Sequence, residues 1–155
     1  MTIRLVLALL STLALPVGCD DDDESPPGEE AGQACAVDAD CYAELAGRED
    51  LAGAVRCLSD RVPGGYCTHA CAEDSDCCAV PGECRTAIAQ VCSPLESEAG
   101  TYCLLSCEPE DLEAAATEGG YAAPDDNAYC AHFAGPAFGC RSSGGGSANR
   151  KVCMP

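Results

Sequence analysis

Fifteen cysteines dominate the chemistry open to this sequence, because a thiol can bind a metal, exchange electrons or form a crosslink. Structural zinc sites usually contain close cysteine or histidine pairs, and the two histidines, His69 and His132, stand alone in the sequence. No two cysteines have the CxxC spacing of the usual redox-active motif. The cysteines therefore predict disulfide crosslinks formed in an oxidising compartment.

Seven disulfides are expected, since one cysteine, Cys19, has a separate role described below. The cysteines predicted to form them are Cys35, Cys41, Cys57, Cys67, Cys71, Cys77, Cys78, Cys84, Cys92, Cys103, Cys107, Cys130, Cys140 and Cys153. The neighbours Cys77 and Cys78 are expected to bridge to different partners, because a bond between adjacent cysteines strains the peptide.

Four aspartates in two D-x-D pairs are the only candidate metal ligands: Asp38, Asp40, Asp74 and Asp76. Carboxylates at this spacing can bind Ca²⁺ through oxygen. They can equally form turns by accepting hydrogen bonds from nearby backbone N–H groups. No EF-hand spacing follows either pair, and the turn-forming interpretation is favoured.

An internal repeat of 36 residues organises these side chains. The segment CAVDADC starts at Cys35 and CAEDSDC at Cys71, while YCTHAC starts at Tyr66 and YCLLSC at Tyr102. We divide the chain accordingly into unit one (35–70), unit two (71–106) and a divergent unit three (107–155). Each unit has an even number of cysteines, which predicts that most disulfides lie within units.

The composition points to a fold stabilised by crosslinks. Leu, Ile, Val and Phe make up only about 12% of the residues after Cys19, and the net charge is −18. Such a chain would be disordered without its cysteines. We therefore predict a small disulfide-rich fold, made of loop-rich tandem cysteine repeats with short β-hairpins and one or two short helices.

The local patterns predict several elements. Apolar spacing predicts a helix near residues 42–55, and weak alternation predicts a strand over 86–91. Proline followed by acidic residues and then glycines predicts a helix over 110–118. The sequences Gly64-Gly65-Tyr66-Cys67 and Gly100-Thr101-Tyr102-Cys103 mark two predicted strand starts. In unit three, Cys140 is aligned with these two cysteines, one residue late.

The amino-terminal segment predicts export. Residues 5–15 are almost entirely apolar, too short to span a bilayer and typical of a signal peptide. The junction Leu15-Pro-Val-Gly-Cys19 resembles the lipobox of bacterial lipoproteins, which implies cleavage before Cys19 and its lipidation. Residues 1–18 are then the signal peptide, and residues 19–34 are the lipidated cysteine and an acidic, disordered tether.

The cysteine pattern of units one and two resembles the cysteine-rich module of Dickkopf N-terminal type, which also occurs in bacterial lipoproteins. The resemblance covers 35–107 and is carried by the CxxDxDC openings, the central cysteines and the Gly-Tyr-Cys-x-x-x-Cys endings. CAEDSDCC also looks like part of a whey-acidic-protein or knottin pattern.

These observations predict an exported, lipid-anchored protein with a structural or binding role at the bacterial cell envelope, at the outer membrane or cell surface. We expect no cofactor, no enzyme activity and no nucleic-acid partner, since the strong negative charge disfavours phosphate binding. The expected partners are the membrane, through the anchor, and a protein or glycan. The alternatives are a Ca²⁺-binding module using the D-x-D pairs and a knottin-like protease inhibitor.

Overall fold

The computed structural model describes residues 31–45, 48–84, 88–95, 99–118, 120–144 and 146–155. The predicted signal peptide, Cys19 and residues 20–30 of the predicted tether lie outside these ranges. The helices and strands are β1 (Val55–Cys57), β2 (Cys67–His69), β3 (Gln90–Pro94), β4 (Thr101–Leu105), α1 (Pro109–Glu118), α2 (Asp126–Phe133), β5 (Gly139–Ser142) and β6 (Lys151–Met154). The described residues also form 3₁₀ turns at Asp38–Asp40, Ala43–Leu45, Asp74–Asp76 and Gly146–Ala148.

The strands form three antiparallel hairpins, β1–β2, β3–β4 and β5–β6. Each hairpin places two cysteines directly opposite each other on its two strands. These pairs are Cys57 with Cys67, Cys92 with Cys103, and Cys140 with Cys153. Each hairpin therefore presents two neighbouring anchoring points for the segment that opens its unit.

The disulfides follow one crossed pattern in every unit. When Cys78 and Cys84 of unit two are left out of the count, each unit has four cysteines, of which the first bonds to the third and the second to the fourth. The six disulfides of this pattern, called here the frame disulfides, are Cys35–Cys57, Cys41–Cys67, Cys71–Cys92, Cys77–Cys103, Cys107–Cys140 and Cys130–Cys153. The seventh, Cys78–Cys84, closes a small ring in unit two. All seven lie within units, and the predicted disulfide-rich class with short hairpins and two helices is confirmed.

The hairpin of unit three shows that its cysteines align with those of the other units differently from the prediction. Cys140 lies on the first strand of its hairpin and corresponds to Cys57, while Cys153 corresponds to Cys67. The predicted alignment of Cys140 with the second-strand cysteines is wrong. Helix α1 and the first turn of α2 lie between the first and second cysteines of this unit, which moves the second cysteine to Cys130 on α2. A fixed 36-residue offset cannot follow such an insertion.

Strand β4 connects the three units. Ala70, just beyond β2, forms a β-bridge with Tyr102, and Ser106, just beyond β4, forms a β-bridge with Val152. These two junctions are equivalent, because Ala70 and Ser106 each immediately precede the first cysteine of the next unit. The units therefore stack in order, each contacting its neighbour through the same backbone arrangement, as in other repeat proteins.

The two residues that end β4 belong to separate apolar clusters. Leu104 packs with Tyr66 and Val152, whereas Leu105 packs with Tyr129 and Ala31. Alternate side chains of a strand point to opposite faces, so β4 lies between the two clusters.

The end of the predicted tether belongs to the folded part. Ala31 is buried, and the Gly32 amide donates a hydrogen bond to the Cys67 carbonyl at 3.0 Å. A Cβ atom on Gly32 would lie 2.9 Å from the Leu105 side chain. The prediction of disorder up to residue 34 is therefore wrong for residues 31 and 32, because backbone and apolar contacts hold them on units one and two.

The helix predicted near 42–55 is not present in the described residues of that segment. One 3₁₀ turn covers Ala43–Leu45, and β1 begins at Val55. The Cα atoms of Cys41 and Cys67 are 5.3 Å apart, and Cys57 lies opposite Cys67, about 5 Å away in an antiparallel pair. The segment must therefore return to within about 11 Å of its start, whereas a 14-residue helix would extend about 21 Å.

The other element predictions have mixed outcomes. The predicted helix over 110–118 is confirmed as α1, with Pro109 as its first residue. Strand β3 begins at Gln90, so the predicted strand over 86–91 is confirmed only at its end, and residues 86 and 87 lie outside the described residues. Helix α2, which begins after the N-cap Asp125, was not predicted at its own position.

Candidate functional site

Three equivalent side chains fasten the opening segment of each unit to its hairpin. Each lies three residues before the second cysteine of its unit and accepts a hydrogen bond from the backbone amide of the third cysteine. The pairs are Asp38 with Cys57 (2.7 Å), Asp74 with Cys92 (2.8 Å) and Asn127 with Cys140 (3.0 Å). Each bond ties the same two chain segments as a frame disulfide. Asn127 was missed because α2 hides its correspondence to the D-x-D pairs.

The second aspartate of each D-x-D pair closes the turn that precedes it. One Asp40 carboxylate oxygen accepts hydrogen bonds from the backbone amides of Ala36 and Val37 at 2.8 and 3.1 Å. Asp76 accepts the equivalent bonds at 2.7 and 3.1 Å. These backbone hydrogen bonds lower the pKa of both carboxyl groups below the ordinary value, since they favour the charged form.

The aspartates therefore make the contacts expected of turn-forming residues. The remaining oxygen of Asp38 faces Arg56 at 3.3 Å, and that of Asp74 faces Arg150 at 3.0 Å. Among the described residues, the groups of three or more possible metal ligands within 4.8 Å of one another consist only of cysteine sulfurs. All of those sulfurs are in disulfides, and metal binding by cysteine requires the thiolate.

A buried ion pair joins unit one to unit two. His69 Nε2 lies 2.7 Å from Glu83 Oε1, and both side chains are 0% exposed. Glu83 also accepts hydrogen bonds from the backbone amides of Cys78 at 2.8 Å and Val80 at 3.1 Å. The ring of Tyr42 packs edge-on against His69 at 5.5 Å between centroids. Glu83 thus holds the small ring of unit two against strand β2 of unit one.

The surrounding acceptors determine the charge of His69. Its Nδ1 faces the Ala70 carbonyl at 3.0 Å, and its Nε2 faces a carboxylate that already accepts two amide hydrogens. Two acceptors around the ring favour donation from both nitrogens, which is the arrangement of the imidazolium form. Burial opposes this charge, but the hydrogen bonds to Glu83 and Ala70 outweigh it and raise the pKa of His69. Burial likewise opposes the charge of Glu83, but the bonds from His69 and the two amides lower its pKa.

This pair could not be found from the sequence, in which His69 was interpreted as isolated. Glu83 lies 14 residues away, in a different unit and inside the small ring closed by Cys78–Cys84, which has no counterpart in unit one. Only the stacking of the units brings the two side chains together.

Two grooves occupy equivalent positions in units one and two. Groove one, of about 340 Å³, is lined by residues between 38 and 55, and groove two, of about 650 Å³, by residues 77–82, 84 and 88–90. Each groove includes the residue after the second cysteine, Tyr42 or Cys78, with φ values of 54° and 65°. These are the non-glycine residues with positive φ in the described chain, so both units adopt the same left-handed turn.

Groove two carries no charged lining residue, although the protein as a whole is strongly acidic. Its lining includes Gln90, which is 6% exposed. Both polar atoms of the Gln90 side-chain amide are buried without a hydrogen-bond partner. Buried amides are usually paired, so Gln90 is the unsatisfied polar group of this groove.

Comparison with known proteins finds no matching family model, curated protein or solved structure. The Dickkopf-type pattern thus remains a resemblance carried by the cysteines, aspartates and tyrosines of units one and two. None of the described helices combines the length and the apolar character needed to cross a bilayer.

Proposed function

We propose that this chain is an exported, lipid-anchored protein with a structural or binding role at the cell envelope. The observation that carries the proposal is the crossed disulfide pattern, repeated in three stacked units. Seven disulfides in a small chain are typical of an oxidising, extracytoplasmic compartment.

The anchor is supported by the sequence before the folded part. An apolar segment of signal-peptide length ends at Gly18-Cys19, and an acidic run follows directly. The fourteen other cysteines are all paired, so Cys19 is the one cysteine without a partner among them. Lipidation would consume that thiol, and two or more acyl chains give stable membrane attachment.

A binding or structural role is supported by the division between frame and loops. Backbone bridges and disulfides hold the hairpins, while grooves one and two are lined mainly by the segments that precede β1 and β3. A rigid frame that presents concave surfaces suits recognition, because little order has to be gained on binding.

Metabolic palmitate labelling of the wild type and of Cys19→Ala tests the anchor. We expect the label on the wild type and its loss from the variant, with the variant released from the membrane. Equal labelling of both proteins would overturn the lipidation. Proteolysis of intact cells then distinguishes surface display, in which the folded part is cleaved, from retention beneath the outer membrane.

Photo-crosslinking in intact cells tests the binding role. A photoreactive residue replaces the exposed Ala79 of groove two, and a matched variant carries it at the exposed Ala72, outside that groove. A discrete adduct to a protein or glycan from Ala79, but not from Ala72, is expected. The absence of an adduct from either position would count against binding through this surface.

A further inference from the structure

The Cys78–Cys84 disulfide differs from the other six. It lies outside the crossed pattern and joins residues only six apart, whereas the frame disulfides join residues 21 to 33 apart. A crosslink restricts the unfolded chain less when the ring is smaller. This bond is therefore expected to contribute less to the stability of the fold than any of the other six.

It is also the most accessible disulfide of the described chain. Cys78 is exposed and Cys84 is half-buried, whereas all twelve cysteines of the frame disulfides are buried or half-buried. Thiol–disulfide exchange requires a thiolate to reach a sulfur atom. An external thiol can therefore approach this bond without opening the frame.

The ring has a second set of contacts that keeps its shape. Glu83 accepts the amides of Cys78 and Val80, and its own amide donates to the Val80 carbonyl at 3.1 Å. Val80 is buried, and His69 holds Glu83 from the neighbouring unit. None of these contacts involves the two sulfur atoms.

Unit one shows that the turn at Cys78 does not need this crosslink. Tyr42 has the same left-handed backbone at the equivalent position and is in no disulfide. The 3₁₀ turn and the frame disulfide before it are therefore sufficient to set that conformation.

We propose that Cys78–Cys84 is an exchangeable disulfide, reduced by an external dithiol while the six frame disulfides stay closed. One thiolate of the dithiol attacks a sulfur of the bond, forming a mixed disulfide and releasing the other cysteine as a thiolate. The second thiol of the reagent then attacks the mixed disulfide and releases the second cysteine. Two electrons pass to the protein, its two thiolates take up protons, and the dithiol becomes a cyclic disulfide.

The exchange acts on groove two. Cys78, residues 79–82 and Cys84 form one wall of that groove, with residues 88–90 in its lining as well. Opening the bond separates the Cys78 and Cys84 side chains, while Glu83 keeps the backbone amides of Cys78 and Val80 in place. The lining of groove two would then change at these two side chains with the redox state of the surroundings, and the rest of the fold would not.

Timed reduction of the full-length, exported protein tests the proposal. Free thiols are blocked first, dithiothreitol is added under native conditions, and new thiols are alkylated and located by mass spectrometry. We expect Cys78 and Cys84 to be labelled together, at least about tenfold faster than any frame cysteine. Labelling of Cys77 or Cys103 at the same rate, or labelling of all fourteen cysteines together, would overturn the proposal.

A double variant, Cys78→Ser with Cys84→Ser, provides the matched control. It is expected to lack the fast labelling phase and to keep the near-UV circular dichroism of the wild type. Loss of that signal would show that the fold depends on the bond and would contradict a change confined to groove two. The labelling order in the wild type tests the selective reduction itself, independently of how the variant folds.

Discussion

At the residue scale, one hydrogen-bond acceptor recurs in all three units. Asp38, Asp74 and Asn127 each bind the amide of the third cysteine in their unit. Because unit three uses an amide where the others use a carboxylate, the acceptor oxygen is required and the negative charge is not.

Substitution of Asp74 separates these two properties. Asp74→Ala removes the acceptor for the Cys92 amide and should lower the free energy of unfolding by about 1 kcal/mol. Asp74→Asn keeps the acceptor and loses only the exposed contact with Arg150, which should cost about 0.5 kcal/mol or less. Urea unfolding with the disulfides intact measures both, and high salt removes the ionic contribution. Equal destabilisation by both variants in high salt would contradict this role.

The His69–Glu83 pair gives the protein a defined pH dependence. The pKa of His69 is raised on folding, so its contribution is complete below its ordinary value of about 6.5 and is lost as the pH rises through the raised value. The pKa of Glu83 is lowered, so its contribution is present above its ordinary value of about 4.3 and is lost as the pH falls through the lowered one.

The variant Glu83→Gln tests this dependence, because it keeps a side-chain oxygen for the Cys78 amide and removes the charge. The wild type should exceed the variant in stability by the largest margin between about pH 4.5 and 6.5, and the margin should shrink in alkaline solution. Urea midpoints across the pH range give the comparison. If the difference in stability between the two proteins stays the same from pH 5 to alkaline pH, Glu83 does not keep His69 protonated.

At the scale of elements, local sequence patterns predicted a helix correctly where no disulfide constrains the segment. Helix α1 follows its proline and acidic first turn, and no cysteine lies within it. The helix predicted at 42–55 failed because frame disulfides bring both of its ends to one hairpin. Helix α2 was missed although Asp125 is an effective N-cap, because its acidic and glycine-rich surroundings resemble a loop.

The turn before β2 depends on two adjacent glycines with different surroundings. Both have positive φ, of 87° and 77°, but a Cβ on Gly64 would meet nothing within 4 Å, whereas one on Gly65 would lie 2.0 Å from the Cys35 carbonyl oxygen. Both positions therefore require a left-handed backbone, but only Gly64 has space for a side chain.

Alanine substitutions at these positions form a matched pair. Gly64→Ala should cost about 1–2 kcal/mol for the left-handed conformation. Gly65→Ala should cost at least about 1 kcal/mol more, because the backbone at Cys35 must move. Thermal unfolding and the yield of the Cys35–Cys57 bond after oxidative refolding report the difference. Similar losses in both variants would mean that the contact with Cys35 does not constrain the turn.

At the scale of the whole molecule, the sequence supports the number of units and the confinement of disulfides within them. The 36-residue repeat and the even cysteine counts were sufficient for that, because each unit closes on itself. The contacts between units could not be predicted from the sequence, since Glu83 and the β-bridges of Tyr102 and Ser106 follow no local sequence pattern. The equivalence of unit three to the other units was also hidden in the sequence, because α1 and the start of α2 lie between Cys107 and Cys130.

Three stacked units share one crossed disulfide frame, and disulfide mapping tests this arrangement most directly. The oxidised protein is digested without reduction, and the linked peptides are identified by mass spectrometry. We predict six bonds joining first to third and second to fourth cysteines within each unit, together with Cys78–Cys84. Bonds that cross between units, or first-to-second pairing within them, would contradict this account.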